Sequence, residues 1–275
     1  MLDLNQYANN LDRREDGVWY APTTAAVSYP DDGHEQCAEI EAGSFWFKHR
    51  NACITALLDT LPPPDLTVFD IGGGNGFVAS ALQSAGYETV VVEPGESGAS
   101  KAAARNIPNV ICAALQDAQF KRGSLPAVGL FDVVEHIEDD VSFMQEIGAL
   151  LAPGGRVYLT VPAYQWLWSD ADDAAGHFRR HTTASMTTLL QRAGLGVDYA
   201  TYFFRFLPLP VFVLRAMPAR LGLTRQAEQV QQDHAGAGAA AGLVEFILRP
   251  EVENIGRLKA MRFGGSCLIA ASKLN

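Results

Sequence analysis

A chain of 275 residues with 48% apolar and 19% charged residues can bury a sizeable core, which excludes general disorder and favours one domain with additions. Lys and Arg total 21 against 31 Asp and Glu, a formal charge of -10, so the basic footprint of a non-specific nucleic-acid binder is missing and no nucleic-acid partner is expected. Cys37, Cys53, Cys112 and Cys267 form no CxxC pair, the N-terminus lacks a signal-type apolar core, and no apolar run reaches the ~18 residues needed to cross a bilayer; a cytoplasmic protein without zinc knuckle, disulfide framework or membrane span is expected.

Residues 1–38 are polar and carry turn signals such as Tyr29-Pro30-Asp31-Asp32-Gly33, which reads as an extended arm. From Glu39 to Leu61, Ile40, Phe45, Phe47, Ile54, Leu57 and Leu58 recur at roughly helical spacing until the prolines at 62–64 stop the pattern, so 1–61 forms an arm and a cap helix. Short apolar runs then alternate with helical stretches through residue 204. Strands are expected at 66–71, 87–92, 109–112, 127–134, 155–161 and 196–203, and helices at 75–85, 97–105, 140–151 and 183–193. That alternation implies an α/β fold, a mainly parallel sheet covered on both faces.

Residues 205–262 depart from this rhythm, with the apolar run around 203–214 and the low-complexity 234–242, and read as an inserted lid before a final strand within 263–275. The apolar run has three readings: a pocket wall, a homodimer surface, or a helix resting weakly on a membrane surface.

The sharpest motif is Val68-Phe69-Asp70-Ile71-Gly72-Gly73-Gly74-Asn75-Gly76-Phe77, a strand ending in an acid and a glycine turn that opens a helix. Its spacing is D-x-G-x-G-x-G, and Phe77 stands where a dinucleotide fingerprint needs its last glycine. A second strand, Thr89-Val90-Val91-Val92, ends in Glu93-Pro94-Gly95, a carboxylate at a strand tip that can accept from two ribose hydroxyls. Then come Leu130-Phe131-Asp132-Val133-Val134-Glu135-His136 and Leu151-Ala152-Pro153-Gly154-Gly155-Arg156.

These four segments, in this order, resemble the motifs of class I S-adenosylmethionine-dependent methyltransferases, including the subgroup of ubiquinone-biosynthesis methyltransferases, over about residues 45–200. The resemblance implies a doubly wound, mainly parallel seven-stranded Rossmann-like sheet with an N-terminal helical cap and a helical insertion before the last strand. It implies S-adenosylmethionine as methyl donor and S-adenosylhomocysteine as product, held by Asp70, Gly72, Gly73, Gly74, Gly76, Glu93, Pro94, Leu115, Phe131 and Asp132. Where many relatives place an adenine-binding acid after the third strand, Ala114 stands here, leaving the backbone near Leu115, Gln116 and Asp117 as alternatives. Arg50 sits where relatives carry a cofactor-covering helix, and its fork matches a methionine carboxylate, although packing with a solvated guanidinium explains it equally.

His136 is placed by the resemblance beside the methyl group, where an imidazole suits a general base. Asp132, Glu135 and His136 also resemble the acid-x-x-Glu-His spacing of ubiquinone-type O-methyltransferases, which would let them hold a divalent metal such as magnesium or zinc. Tyr164, Trp168, His177, Arg179, Arg180 and His181 lie on a loop at the carboxyl end of a strand, where α/β sheets build substrate pockets; their cations suit a phosphate or carboxylate, unless Thr182 merely caps a helix and the arginines face solvent. The expected acceptor is a small or medium-sized metabolite, lipid-linked or a biosynthetic intermediate. A nicotinamide-dependent oxidoreductase and a non-catalytic cofactor-binding partner are the alternatives.

Overall fold

The computed structural model describes residues 2–22, 44–220, 222 and 241–274. The turn at 29–33, Cys37, the first residues of the expected cap helix and residues 234–240 of the low-complexity link lie outside the described residues.

Runs of branched side chains that are buried on both faces can only be strands in the middle of a layered α/β fold, and β3 (Thr67–Ile71), β4 (Glu88–Val92), β5 (Val110–Cys112) and β6 (Leu125–Phe131) are of this kind. With β7 (Leu151–Pro162), β8 (Leu195–Phe203) and β9 (Ser266–Lys273) they order as β5-β4-β3-β6-β7-β9-β8. Pairing is parallel except around β9, which runs antiparallel between β7 and β8. The order reverses between β3 and β6, so the carboxyl ends of those strands diverge into a crevice.

The sheet has nine strands rather than seven. The arm expected to be merely extended adds β1 (Asp12–Arg13) and β2 (Trp19–Tyr20), with β2 parallel to β5 through Trp19 opposite Ile111. The cause is the short β5, which would otherwise end the sheet as an unpaired edge. Leu4, Tyr7, Ala8 and Leu11 are buried under this edge, and Tyr7 meets the Phe69 ring edge-on at 4.9 Å.

Strand alternation divides the core in two. Phe69, Ile71, Leu159 and Ile269 face one layer with Met144 and Leu190, whereas Val68, Tyr158 and Leu268 face another with Ile54, Leu57 and Phe203. Helices α1 (Phe45–Thr60), α2 (Phe77–Ser84), α3 (Glu96–Ala104), α4 (Asp140–Leu150), α5 (Asp170–Ala174) and α6 (Thr183–Arg192) connect the strands. Ser44 caps α1 by accepting from the Trp46 amide. The expected strand 127–134 ends early, at Phe131: Asp132 takes φ +60° and Val134–His136 forms a 3-10 turn, which folds the next residues across the crevice.

The insertion is helical as expected. A segment over 208–220, with a π turn at Phe212–Ala216, is followed by α7 (Ala241–Ile255), which packs against α1. Buried Glu251 fastens this arrangement: it lies 3.0 Å from His49 Nε2 and accepts from the Phe204 and Arg205 amides at 2.7 and 2.8 Å. Among the described residues, no helix is long and apolar enough to cross a membrane.

Candidate active site

The glycine turn after β3 is built by the backbone. Gly72 and Gly73 donate to the Val92 carbonyl, and Gly72, Gly74 and Gly76 all take positive φ. A Cβ on Gly73 would lie 2.9 Å from Asp70 Oδ2, and one on Gly76 2.4 Å from Ile107 Cδ1, whereas at Gly74 it would meet nothing within 4 Å. Gly74 thus faces open space. Glu93, buried at the tip of β4, accepts from the Gly74 amide at 2.9 Å with one oxygen and from the Gly95 amide at 2.8 Å with the other.

Beside this turn a cavity of about 400 Å³ opens at the switch point of the sheet. Ile71, Gly72, Val92 and Pro94 form its floor and Ala113 to Gln116 one wall. The opposite wall includes Asp139, Ser142, Phe143 and Glu146, residues that sequence reasoning missed. Their spacing of i, i+3, i+4 and i+7 is the stripe of one helix face and could have been read as such. Leu115 and Gln116 line the cavity, whereas Asp117 is not part of its lining.

Asp70 lies buried under the glycine turn, its Oδ2 without a hydrogen-bond partner among the described residues. Burial pushes its acid up to about 7, the Arg50 guanidinium opposes that shift, and the Glu93 carboxylate adds to it. Arg50 is buried on α1 with its guanidinium 4.9 Å from the Trp46 ring, and it donates to Asp132 Oδ2 at 2.5 Å. Two expected cofactor contacts are therefore paired with each other. Phe131 does not reach the cavity: its ring covers Gly129, whose Cβ would lie 2.4 Å from it, in the second core layer.

The turn after β6 lends Val133 and Ile137 to the cavity lining and carries Glu135 and His136 between them, outside that lining. Glu135 is buried, its Oε2 lacks a partner among the described residues, and burial together with the Asp132 charge pushes its acid well up. Burial, then neighbouring His177, lowers His136 to about 4; the two rings meet edge-on at 4.7 Å. His177 places Nδ1 2.9 Å from Asp172 Oδ1. Asp172, itself buried, also takes Arg180 Nε at 2.7 Å and Nη2 at 3.0 Å, and the Ser169 amide at 2.9 Å. Burial pushes the Asp172 acid up, but these partners outweigh it and hold the group below its ordinary value.

The expected anion grip is not formed. Arg180 serves Asp172, and Arg179 donates to Asp140 Oδ2 at 2.7 Å and to the Glu138 carbonyl at 2.6 Å, so both guanidinium groups fasten the loop from within. His181 is buried, exchanging backbone bonds with Pro162 and Tyr164, and burial lowers its pKa. Trp168 donates to Asp173. Thr182 does cap α6, as the alternative reading had it, with Ser185 completing a capping box. Tyr164 stacks on Tyr202 at 5.0 Å and Trp166 at 5.5 Å, an aromatic wall beside the loop.

A metal-type donor set exists, but with a different membership from the one expected. Glu135, His136 and His177 each offer an atom within 4.8 Å of the others, whereas Asp132 is taken by Arg50. A partnerless buried carboxylate oxygen beside two imidazoles, one of them held by Asp172, suits a divalent cation such as zinc.

The family described as methyltransferase domain matches residues 45–200. The ubiquinone biosynthesis O-methyltransferase of Pseudomonas paraeruginosa is 26% identical over 100 residues, which cover 34% of this chain and 43% of that relative, so the match spans less than half of its length. Among solved structures, a chain of the complex between the Haloferax volcanii Trm112 methyltransferase activator and a methyltransferase superposes with a TM-score of 0.58 at 17% identity, covering 89% of this chain and 96% of its own. Phosphoethanolamine N-methyltransferase 2 of Haemonchus contortus, solved with S-adenosyl-L-methionine, gives 0.56 at 17% identity over 90% of this chain and 58% of its own. These two likenesses speak for the fold. The chain belongs to the methyltransferase-domain family, of the class I S-adenosylmethionine-dependent kind, which sets aside the nicotinamide oxidoreductase weighed as an alternative.

Proposed function

We propose that the protein methylates a small or medium-sized metabolite, lipid-linked or a biosynthetic intermediate, in the crevice between the β3 glycine turn and the β6 turn. The observation that carries this is the cavity of about 400 Å³ at the switch point, between the glycine turn that Glu93 holds and the turn after β6 on which His136 lies. S-adenosylmethionine, when bound, supplies a methyl group on a sulfonium. The Glu93 carboxylate, fixed at the strand tip by the Gly74 and Gly95 amides, suits the ribose hydroxyls. The wall from Ala113 to Gln116 and the Phe143 face of α4 suit an adenine ring. The unpartnered Asp70 oxygen and the open space at Gly74 suit the methionine end.

His136 is proposed as the base that takes a proton from the acceptor. With its pKa near 4 the imidazole is neutral across the physiological range, so it stands ready to accept, and orientation supplies most of the rate. His136→Ala is expected to lower turnover roughly 100-fold or more while leaving cofactor affinity nearly intact. Calorimetry with S-adenosylmethionine, followed by labelled methyl donor with a metabolite extract, tests binding and finds the acceptor; unchanged turnover would remove His136 from the role.

A second reading, favoured by the partnerless Glu135 oxygen, is that Glu135, His136 and His177 hold a divalent cation that orients an acceptor oxygen. His136 is then a ligand rather than a base. In that case zinc or magnesium raises the melting temperature of the wild type, and His177→Ala abolishes the rise.

A further inference from the structure

Two parts of the insertion differ in charge from the rest of the molecule. Over residues 205–220 and 246–263 the sequence carries seven Lys and Arg against two acids, and over the whole of 205–263 eight against five, in a chain whose formal charge is -10. Glu251 is buried in its bonds to His49 and the 204–205 amides, and exposed Glu253 pairs with Arg249, which offsets one cation and leaves six against no unpaired acid on these segments. Arg205, Arg257, Lys259 and Arg262 are exposed.

The same segments expose large apolar side chains that the core does not use. Phe206 is 58% exposed, Leu209 70% and Phe246 74%, with Val213, Leu214 and Met217 also exposed. Glu251 ties the start of the 208–220 segment to α7, so both carriers of the patch emerge from one buried junction. Scattered apolar residues are ordinary on a surface, but this many large ones on two segments anchored through Glu251 mark an interaction site.

Charge selects the occupant. A second copy using the same patch would bring basic face against basic face, as a two-fold contact requires. Large apolar side chains among cations are the signature of a surface that lies in the headgroup region of an anionic bilayer, with the apolar groups inserted and the cations among the phosphates. The acidic remainder of the chain would be repelled by such a surface, which orients the protein with the insertion downward. Phe212 on this segment meets Trp166, which stacks on Tyr164, so the docked face adjoins the aromatic wall of the β7–α6 loop. We propose that the exposed apolar and basic side chains of residues 205–220 and 246–263 dock the protein on an anionic lipid bilayer. This holds for a water-soluble acceptor as well as a lipid-linked one, and is independent of the proposed chemistry.

The test is flotation of the full chain with vesicles of phosphatidylcholine alone and with added phosphatidylglycerol, at low and high salt. The protein is expected to float with the anionic vesicles, to remain below with the neutral ones, and to be released by salt. Leu209→Asp together with Phe246→Asp is expected to abolish flotation, and Arg257→Gln and Lys259→Gln to lower partitioning roughly fivefold each. All four sites are exposed, and melting temperatures within a degree or so of wild type confirm the fold. Absence of flotation on anionic vesicles would overturn the proposal, as would flotation that survives the double aspartate substitution. Conversion of a dimer to a monomer by that substitution, with no vesicle binding in the wild type, would give the surface to a second copy instead.

Discussion

The two sides of the crevice place their polar groups by different means. On the β3–β4 side, backbone amides of the glycine turn point at Glu93, and the groups that matter stand within a few residues of a strand tip. On the β6–β7 side, position depends on side chains pairing with side chains: Arg179 with Asp140, 39 residues away, and Arg180 and His177 with Asp172. A site made from main chain tolerates losing a side-chain partner better than one made from mutual ion pairs, because a buried charge left alone has nothing to relax onto. Substitutions should therefore unfold the second side and merely empty the first.

The largest effect is expected at Asp172. Asp172→Ala takes the partner from half-buried Arg180 and His177 and removes a buried carboxylate, which costs up to about 3–5 kcal/mol, so urea unfolding should show that loss with S-adenosylmethionine affinity of the folded fraction little changed. A loss below about 1 kcal/mol would mean the loop is not held this way.

Next comes Glu93→Gln. Its amide keeps one acceptor for the Gly74 or Gly95 amide but loses the charge and the second acceptor, so binding of S-adenosylmethionine should weaken by about 10- to 100-fold while the melting temperature changes little. Strong destabilisation together with unchanged affinity would reverse the contrast between the two sides.

That contrast also decides what was readable beforehand. The turn at Gly72–Gly76 was legible because positive φ and close approach select one residue type at fixed spacing. The seven central strands followed from alternation, whereas β1 and β2 did not, since two-residue strands have no periodicity and are held by an edge supplied from residue 110 onward. Arg179 and Arg180 looked available because a sequence shows a cation but not its partner; only folding brings Asp140 and Asp172 to them. His177 was assigned to an anion for the same reason, though it lies against His136 and Glu135.

The smallest effect is the most discriminating, because Asp70 on one side and His136 on the other titrate with opposite sign. Folding pushes Asp70 up from 3.8 to about 7, so between those values the folded state holds a proton that the unfolded chain has lost, and stability falls as pH rises through the window. Folding lowers His136 from 6.5 to about 4, so there the unfolded chain holds the extra proton and stability rises with pH. The windows overlap, so in the wild type these two slopes oppose each other, with Glu135 adding to the fall. Asp70→Asn should expose the rise, with melting temperature climbing from pH 4 to 6.5, and His136→Gln should expose the fall over the same range. If both variants kept the wild-type profile, neither group would be titrating out of step with the unfolded chain, and the buried carboxyl of the cradle would have to carry its charge with the help of Arg50 alone.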